Sequence, residues 1–277
     1  MKNFTKWCLK NSAYFIATAI FLTPVCCYSA IQVVNSSLLH EYKVSRGDSV
    51  QGKVQLRNNG SAAERVRINK KDIVFSKFGE ANYKTLEEKA NPRSNAAWIT
   101  FNTANDKNLS AQENYEFEYT INIPNDPNIK GSFWSTLMIE PQTALDINNT
   151  NIDKKEITVV TKARYAIMLV TTITDGSVDI SVMEHKIKTV DDKKLLEIDI
   201  KNNGESIYRM KSELQLYNSN GEYIFNKQLN SKAVYPESTN SILFDISEVK
   251  KGTYNALIMF EGDDESLQGV QYDIVIE

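Results

Sequence analysis

Two blocks of this sequence occur twice, in the same order each time. Val54-Gln55-Leu56-Arg57-Asn58-Asn59-Gly60 returns as Ile198-Asp199-Ile200-Lys201-Asn202-Asn203-Gly204. Lys130-Gly131-Ser132-Phe133-Trp134-Ser135-Thr136-Leu137-Met138-Ile139-Glu140 returns as Lys251-Gly252-Thr253-Tyr254-Asn255-Ala256-Leu257-Ile258-Met259-Phe260-Glu261. The first block is displaced by 144 positions and the second by 121, so the first copy is the longer between its blocks. Solenoid repeats run ~20–50 residues, far shorter than this. The period is that of a domain, and 277 residues accommodate two of them.

The pattern between the blocks is extended. Tyr115, Phe117, Tyr119, Ile121 and Ile123 alternate strictly before the breaker Pro124-Asn125-Asp126-Pro127-Asn128, and similar short runs recur at 51–56, 65–68, 133–139, 195–200, 213–217, 223–225, 241–246 and 254–260. No stretch of helical length carries an apolar stripe at i, i+3, i+4; residues 83–89 could form a single turn. Many short strands between turns, twice over, predict an all-β chain of two tandem immunoglobulin-like β-sandwich domains. Their expected bounds are 31–172 for the first, which carries insertions, and 173–277 for the second. Thr174-Asp175-Gly176-Ser177 is read as a short hinge, 143–155 as a mobile polar loop, and 73–95 as the main insertion.

Residues 1–30 read as a signal peptide. Lys2, Lys6 and Lys10 precede the apolar stretch 13–23, which leads through Pro24 into small residues up to Ala30. All three cysteines, Cys8, Cys26 and Cys27, lie in this segment, so the mature chain is expected to fold without disulfides. No later stretch is long and apolar enough for an integral membrane segment. The expected location is periplasmic, with an extracellular or surface-associated site as the alternative. A net charge of −3 offers no general field for nucleic acid.

Catalytic motifs are absent from the sequence. The only histidines are His40 and His185, read as solvated surface residues; there is no thiol nucleophile in the mature chain, no G-x-S-x-G elbow, no phosphate-binding glycine loop and no H-E-x-x-H. The acidic turns at 125–128 and 261–265 lack the spacing of a dedicated calcium loop. Trp98 and Trp134 are read as packing residues rather than sugar-stacking platforms. The chain is therefore expected to be no enzyme and to hold no cofactor or metal.

The segment 155–172 stands apart, with about 18 residues free of Gly and Pro where strands usually run about 5–6. Ile157, Val159, Ala163, Tyr165, Ile167 and Leu169 fall on one side; Val160, Lys162, Arg164, Met168 and Val170 fall on the other. Packing in the core accounts for 165–170. It leaves 157–160 as an apolar edge projecting from a polar loop, which invites strand addition by another polypeptide. Lys162 and Arg164 lie beside it as cations able to hold a carboxylate.

Two tandem immunoglobulin-like domains behind a signal peptide, with the first ending in an extended Thr161-Lys162-Ala163-Arg164-Tyr165 strand, resemble the periplasmic pilus-assembly chaperones. The resemblance implies that Ile157 and Val159 are apolar residues donated to a partner. It also implies that Arg164, with Lys162 beside it, is the cleft cation anchoring a subunit's terminal carboxylate. In that family a first-strand arginine pairs with this cation, and residues 31–44 have no counterpart for it; Lys155 stands where a third apolar residue would be. The function expected is that of an exported, non-enzymatic, chaperone-like binding protein that holds another exported protein, such as a pilus subunit, by edge-strand pairing through 155–164. The alternative is a structural or adhesive surface module that binds protein or glycan through loops of the first domain.

Overall fold

The computed structural model describes residues 30–142, 163–263 and 265–277. The first domain is built from β1 (Ile31–Val34), β2 (Leu39–Val44), β3 (Ser49–Asn58), β4 (Glu64–Phe75), β5 (Ala81–Lys84), β6 (Ile99–Phe101), β7 (Asp106–Leu109), β8 (Asn114–Asn122), β9 (Gly131–Pro141) and β10 (Tyr165–Ile173). One sheet runs β1-β3-β8-β6; the other runs β2-β10-β9-β4-β5, with β7 also paired to β4. The second domain contains β11 (Ile180–Val190), β12 (Lys193–Asn202), β13 (Tyr208–Tyr217), β14 (Tyr223–Val234), β15 (Thr239–Asp245), β16 (Gly252–Gly262) and β17 (Leu267–Ile276), in sheets ordered β11-β12-β15 and β14-β13-β16-β17. The chain is all-β, two immunoglobulin-like sandwiches in tandem. Among the described residues the helical turns are 3-10, at Leu86–Glu88 and Ala96–Trp98.

Alternation places the cores. Phe117, Tyr119 and Ile121 on β8 point inward with Val54 and Leu56 of β3 and Leu137 and Ile139 of β9, all fully buried. Leu196, Ile198 and Ile200 of β12 do the same in the second domain, against Leu214, Ile258 and Phe260.

The repeated blocks have a physical reason. The first forms equivalent strands, β3 and β12, and ends on an asparagine with no exposure, Asn58 or Asn202. Asn58 Nδ2 donates to the carbonyls of Ala62 (2.8 Å), Leu109 (3.0 Å) and Ser110 (3.0 Å), while its Oδ1 accepts from Gly60 N at 2.9 Å. Asn202 Nδ2 donates to Ser206 O (2.8 Å) and Val234 O (3.0 Å), and its Oδ1 accepts from Gly204 N at 3.0 Å. A primary amide with both donors and an acceptor satisfies a turn and a neighbouring strand at once. The second block forms β9 and β16, each flanked by strands on both sides of its sheet.

The first strand is divided between sheets. β1 pairs antiparallel with β3, whereas β2 pairs parallel with β10, Leu39 opposite Met168 through Val44 opposite Ile173. Between them Asn35 adopts φ 52°, a left-handed conformation that asparagine tolerates better than most residues.

The domains meet across a small apolar seam. Ile73, Trp134 and Val170 are buried there with Leu39, Phe75, Met168, Ile207 and Tyr235 packed against them. Phe75 stacks on Tyr235 at 4.1 Å between ring centroids, and Trp134 lies 4.9 Å from the same ring. The connection at 174–177 is tied down: Ser177 N and Oγ donate to the Glu205 carboxylate at 3.0 and 2.6 Å, Ser132 N donates to Glu205 O at 2.8 Å, and Arg46 pairs with Asp175. The insertion read at 73–95 completes β4, forms β5 and leans on the second domain, where Lys77 O accepts from Ser241 N at 2.7 Å.

Candidate functional site

β10 is the described strand that follows the predicted binding residues. Tyr165, Ile167 and Leu169 face the core of the first domain, and Met168 and Val170 face the domain seam, as the alternation requires. On its inner side β10 pairs with β9 over its whole length, Tyr165 opposite Ile139 through Ile173 opposite Gly131. On its outer side β2 covers only Met168–Ile173. Among the described residues, Tyr165, Ala166 and Ile167 therefore have a strand partner on one side alone.

The direction of the open groups follows from the next hydrogen bond along. Met168 N donates outward to Leu38 O at 2.8 Å. Main-chain polar groups alternate sides along a strand, so those of Ala166 also point outward, where no strand meets them among the described residues. An unpaired N–H and C=O on an apolar strand form a template for another chain.

Of the four predicted partner-binding residues, Ile157, Val159 and Lys162 lie outside the described residues. Arg164 stands just before β10, its side chain 69% exposed, with Nε 3.5 Å from Glu140 Oε1 of β9. That contact places it at the end of β10 remote from the joint. The cleft between the domains is lined instead by Glu41, Lys43, Thr172, Val178, Arg209 and Asp263 among others, around a volume of about 330 Å³. Arg209 pairs with Glu41 across this cleft, two residues 168 positions apart. No local pattern marks such a pair, and sequence reasoning missed it.

Trp134 is buried and donates through Nε1 to Ile73 O at 3.1 Å, and Trp98 packs 4.7 Å from Phe133, so both are packing residues. His185 lies against Tyr272 at 4.3 Å. His40 departs from expectation, because the edge strand β2 must close the sandwich with whatever side chains face inward. His40 is half-buried, its Nδ1 2.6 Å from Tyr119 OH, which in turn lies 2.9 Å from Tyr42 OH. A side chain at Gly52 would collide with both tyrosines, its Cβ 2.4 Å from each hydroxyl.

Burial lowers the His40 pKa below the usual 6.5, with a hydrogen bond to Ser37 opposing it. Between 6.5 and that lowered value the unfolded chain takes up a proton that the folded chain refuses, so acidification favours unfolding. Chemical-denaturant stability is expected to fall in this window by at most about 1.4 kcal/mol per pH unit. His40→Gln, which does not titrate, should flatten the same stretch of the curve. The depressed carboxylates, such as Asp106 at about 2 beside Arg65 and Arg67, contribute their loss only at lower pH.

No helix among the described residues is long and apolar enough to cross a membrane. No protein-family model and no curated protein matches the chain. Solved structures do resemble it. The class 5 fimbriae chaperone CfaA is similar over 89% of this chain and 100% of its own, at 15% identity and a TM-score of 0.49. A chain of the CsuC–CsuE chaperone–tip adhesion subunit pre-assembly complex, from the archaic chaperone-usher Csu pili of Acinetobacter baumannii, matches over 88% of this chain and 98% of its own, at 12% identity and 0.45. The E. coli chaperone DraB matches over 90% and 97% respectively, at 8% identity and 0.43. At TM-scores below 0.5 the likeness is one of outline, and the two-sandwich fold rests on the strand pairing described above.

Proposed function

We propose that this chain is an exported binding protein that holds another exported protein by taking one of its strands onto the open edge of β10. The observation that carries this reading is the one-sided pairing of Tyr165, Ala166 and Ile167, with the main-chain groups of Ala166 directed outward. Strand addition draws affinity from main-chain hydrogen bonds and selectivity from alternate side chains. Ile157 and Val159 supply the apolar contacts, and Lys162 and Arg164 the positive charge that fixes register against a partner carboxylate. A partner with an incomplete sheet, such as a pilus subunit in the periplasm, fits this chemistry. The alternative, contact through loops of the first domain, has less support, since the loop after β4 is engaged with the second domain.

The test compares two variants. Ala166→Pro deletes the outward N–H while leaving the pairing with β9, as proline is tolerated on edge strands. Ile157→Asp with Val159→Asp removes the apolar contacts. Each is expected to lower recovery of the periplasmic partner on the tagged chain by about tenfold or more, with thermal unfolding almost unchanged. In the wild-type complex, hydrogen exchange should slow at Ala166. Wild-type recovery by both variants would rule strand addition out and leave the loops as the contact surface.

A further inference from the structure

The tip of the β4–β5 hairpin reaches across to the second domain and is held there by side chain and main chain together. Lys77 Nζ lies 2.9 Å from Asp199 Oδ2 and 2.9 Å from Glu197 Oε1, both on β12. Lys77 O accepts from Ser241 N on β15, the edge strand of that sheet. Phe78 next to it lies under two ammonium groups, Lys77 at 5.5 Å and Lys188 at 5.2 Å. Glu197 is only 2% exposed, yet Lys188 at 2.6 Å and Lys186 at 3.8 Å also attend it. Burial alone would raise its carboxyl, and the lysines outweigh that and hold it at about 2.

The position of this contact matters as much as its strength. In the sheet β2-β10-β9-β4-β5 the hairpin occupies one edge and β2 the other. The apolar seam of Ile73, Trp134 and Val170 lies between them, on the strands in the middle. Toward the β2 edge Glu41 pairs with Arg209 across the cleft, and Arg46 pairs with Asp175 at the joint. The seam thus lies between the hairpin contact on one side and the Glu41–Arg209 pair on the other, with the contacts of Ser132 and Arg93 to Glu205 near the joint. Releasing the hairpin contact would let the second domain rock about the seam and change the width of the cleft at the opposite edge.

We propose that the hairpin tip is a strut, with Lys77 as a positioning residue that fixes the angle between the domains and so holds the cleft beside β10 at one width. Its consequence for partner capture rests on the strand-addition reading; the strut itself does not. Hinge and shear between domains are the default where an interface is small, and ties on both sides of the seam suppress them.

Lys77→Met tests this without leaving a bare buried charge, because Glu197 keeps Lys188 and Lys186 and Asp199 keeps the Ser241 hydroxyl. Lys77→Arg keeps the cation. The mature chain would carry no cysteine, so Gln51→Cys and Gln268→Cys place one spin label on an exposed position of each domain. The expected result is a single distance population in the wild type and in Lys77→Arg. Lys77→Met should add a second population of about a tenth or more, the range of a minor conformer that has become appreciable. An unchanged distribution in Lys77→Met overturns the strut, whatever happens to capture. A broadened distribution with normal capture upholds the strut and shows that capture does not depend on the cleft's width. A broadened distribution with capture weakened, and both restored by Lys77→Arg, upholds the strut and its role beside β10.

Discussion

Replacing Asn58 by alanine is expected to cost the first domain about 3–4 kcal/mol, enough to unfold it ahead of the second. The side chain is fully buried; its two amide protons are shared among the carbonyls of Ala62, Leu109 and Ser110, and its oxygen accepts from Gly60 N. Deletion strands the buried Leu109 carbonyl and takes a partner from the part-buried groups around it, and an unsatisfied buried group costs about 1–3 kcal/mol. Some of the loss is recovered by relaxation, which is why the sum of four penalties is not expected. Asn58→Asp is the informative companion. It keeps the acceptor for Gly60 N and matches the shape, but turns a carboxylate toward three carbonyl oxygens, so it should be at least as damaging as alanine. Urea unfolding followed by circular dichroism should become biphasic in both variants. Asn202→Ala should give the mirror result, with the second domain melting first. Should Asn58→Asp match the wild type, the donor role of Nδ2 is wrong.

That pair of asparagines also shows why so much of the fold could be read in advance. The repeated blocks are the segments where burial constrains both faces or where a side chain must satisfy a turn, and such positions tolerate few residue types. β3, β8, β9, β12 and β16 were visible for this reason: each has strands on both sides, with alternating burial in β3, β8 and β16 and burial on both faces along much of β9 and β12. β11 and most of β14 escaped notice because they are edge strands. Lys186 and Lys188 on β11, and Asn226, Lys227, Gln228, Asn230 and Lys232 on β14, are the polar residues that keep an edge from pairing with other chains, and they erase the periodic signal. The parallel docking of β2 on β10 was hidden too, since it depends on a corner at Asn35 rather than on any local preference. His40 was read as solvated because a lone histidine usually is, whereas the closing of the sandwich by β2 turns it inward against Tyr119.

The strand beside the candidate site was legible along its length and illegible across it. An unbroken run rich in β-branched residues pointed to β10, and its alternation was assigned correctly over 165–170. Which edge of that strand is open follows from the length of β2, which no pattern within 155–172 encodes. The cleft residues Glu41 and Arg209, and the strut at Lys77 with Glu197 and Asp199, come from opposite ends of the chain. Contacts of this kind are created by the packing of the two domains, so only the assembled molecule reveals them.

Gly131→Ala should part the two domains. Gly131 holds φ 71°, a conformation that costs a residue with a side chain about 1–3 kcal/mol. The added methyl would also lie 2.0 Å from the Glu205 carbonyl oxygen and 2.7 Å from Glu205 Cβ, which no rotamer can relieve because the first obstacle is backbone. That same carbonyl accepts from Ser132 N at 2.8 Å and from Arg93 Nη1 at 3.2 Å, so moving Glu205 away breaks two bonds between the domains. Each domain has its own core, and the seam between them buries few residues. Separation is therefore the cheaper response to strain and clash of about 3 kcal/mol or more. The predicted observations are a larger radius of gyration in solution scattering and a red shift of tryptophan emission, as Trp134 loses Tyr235 and meets water. Both sandwiches should keep their circular dichroism. If the alanine variant scatters like the wild type and its emission does not move, the close approach of Gly131 to Glu205 is not what holds the joint.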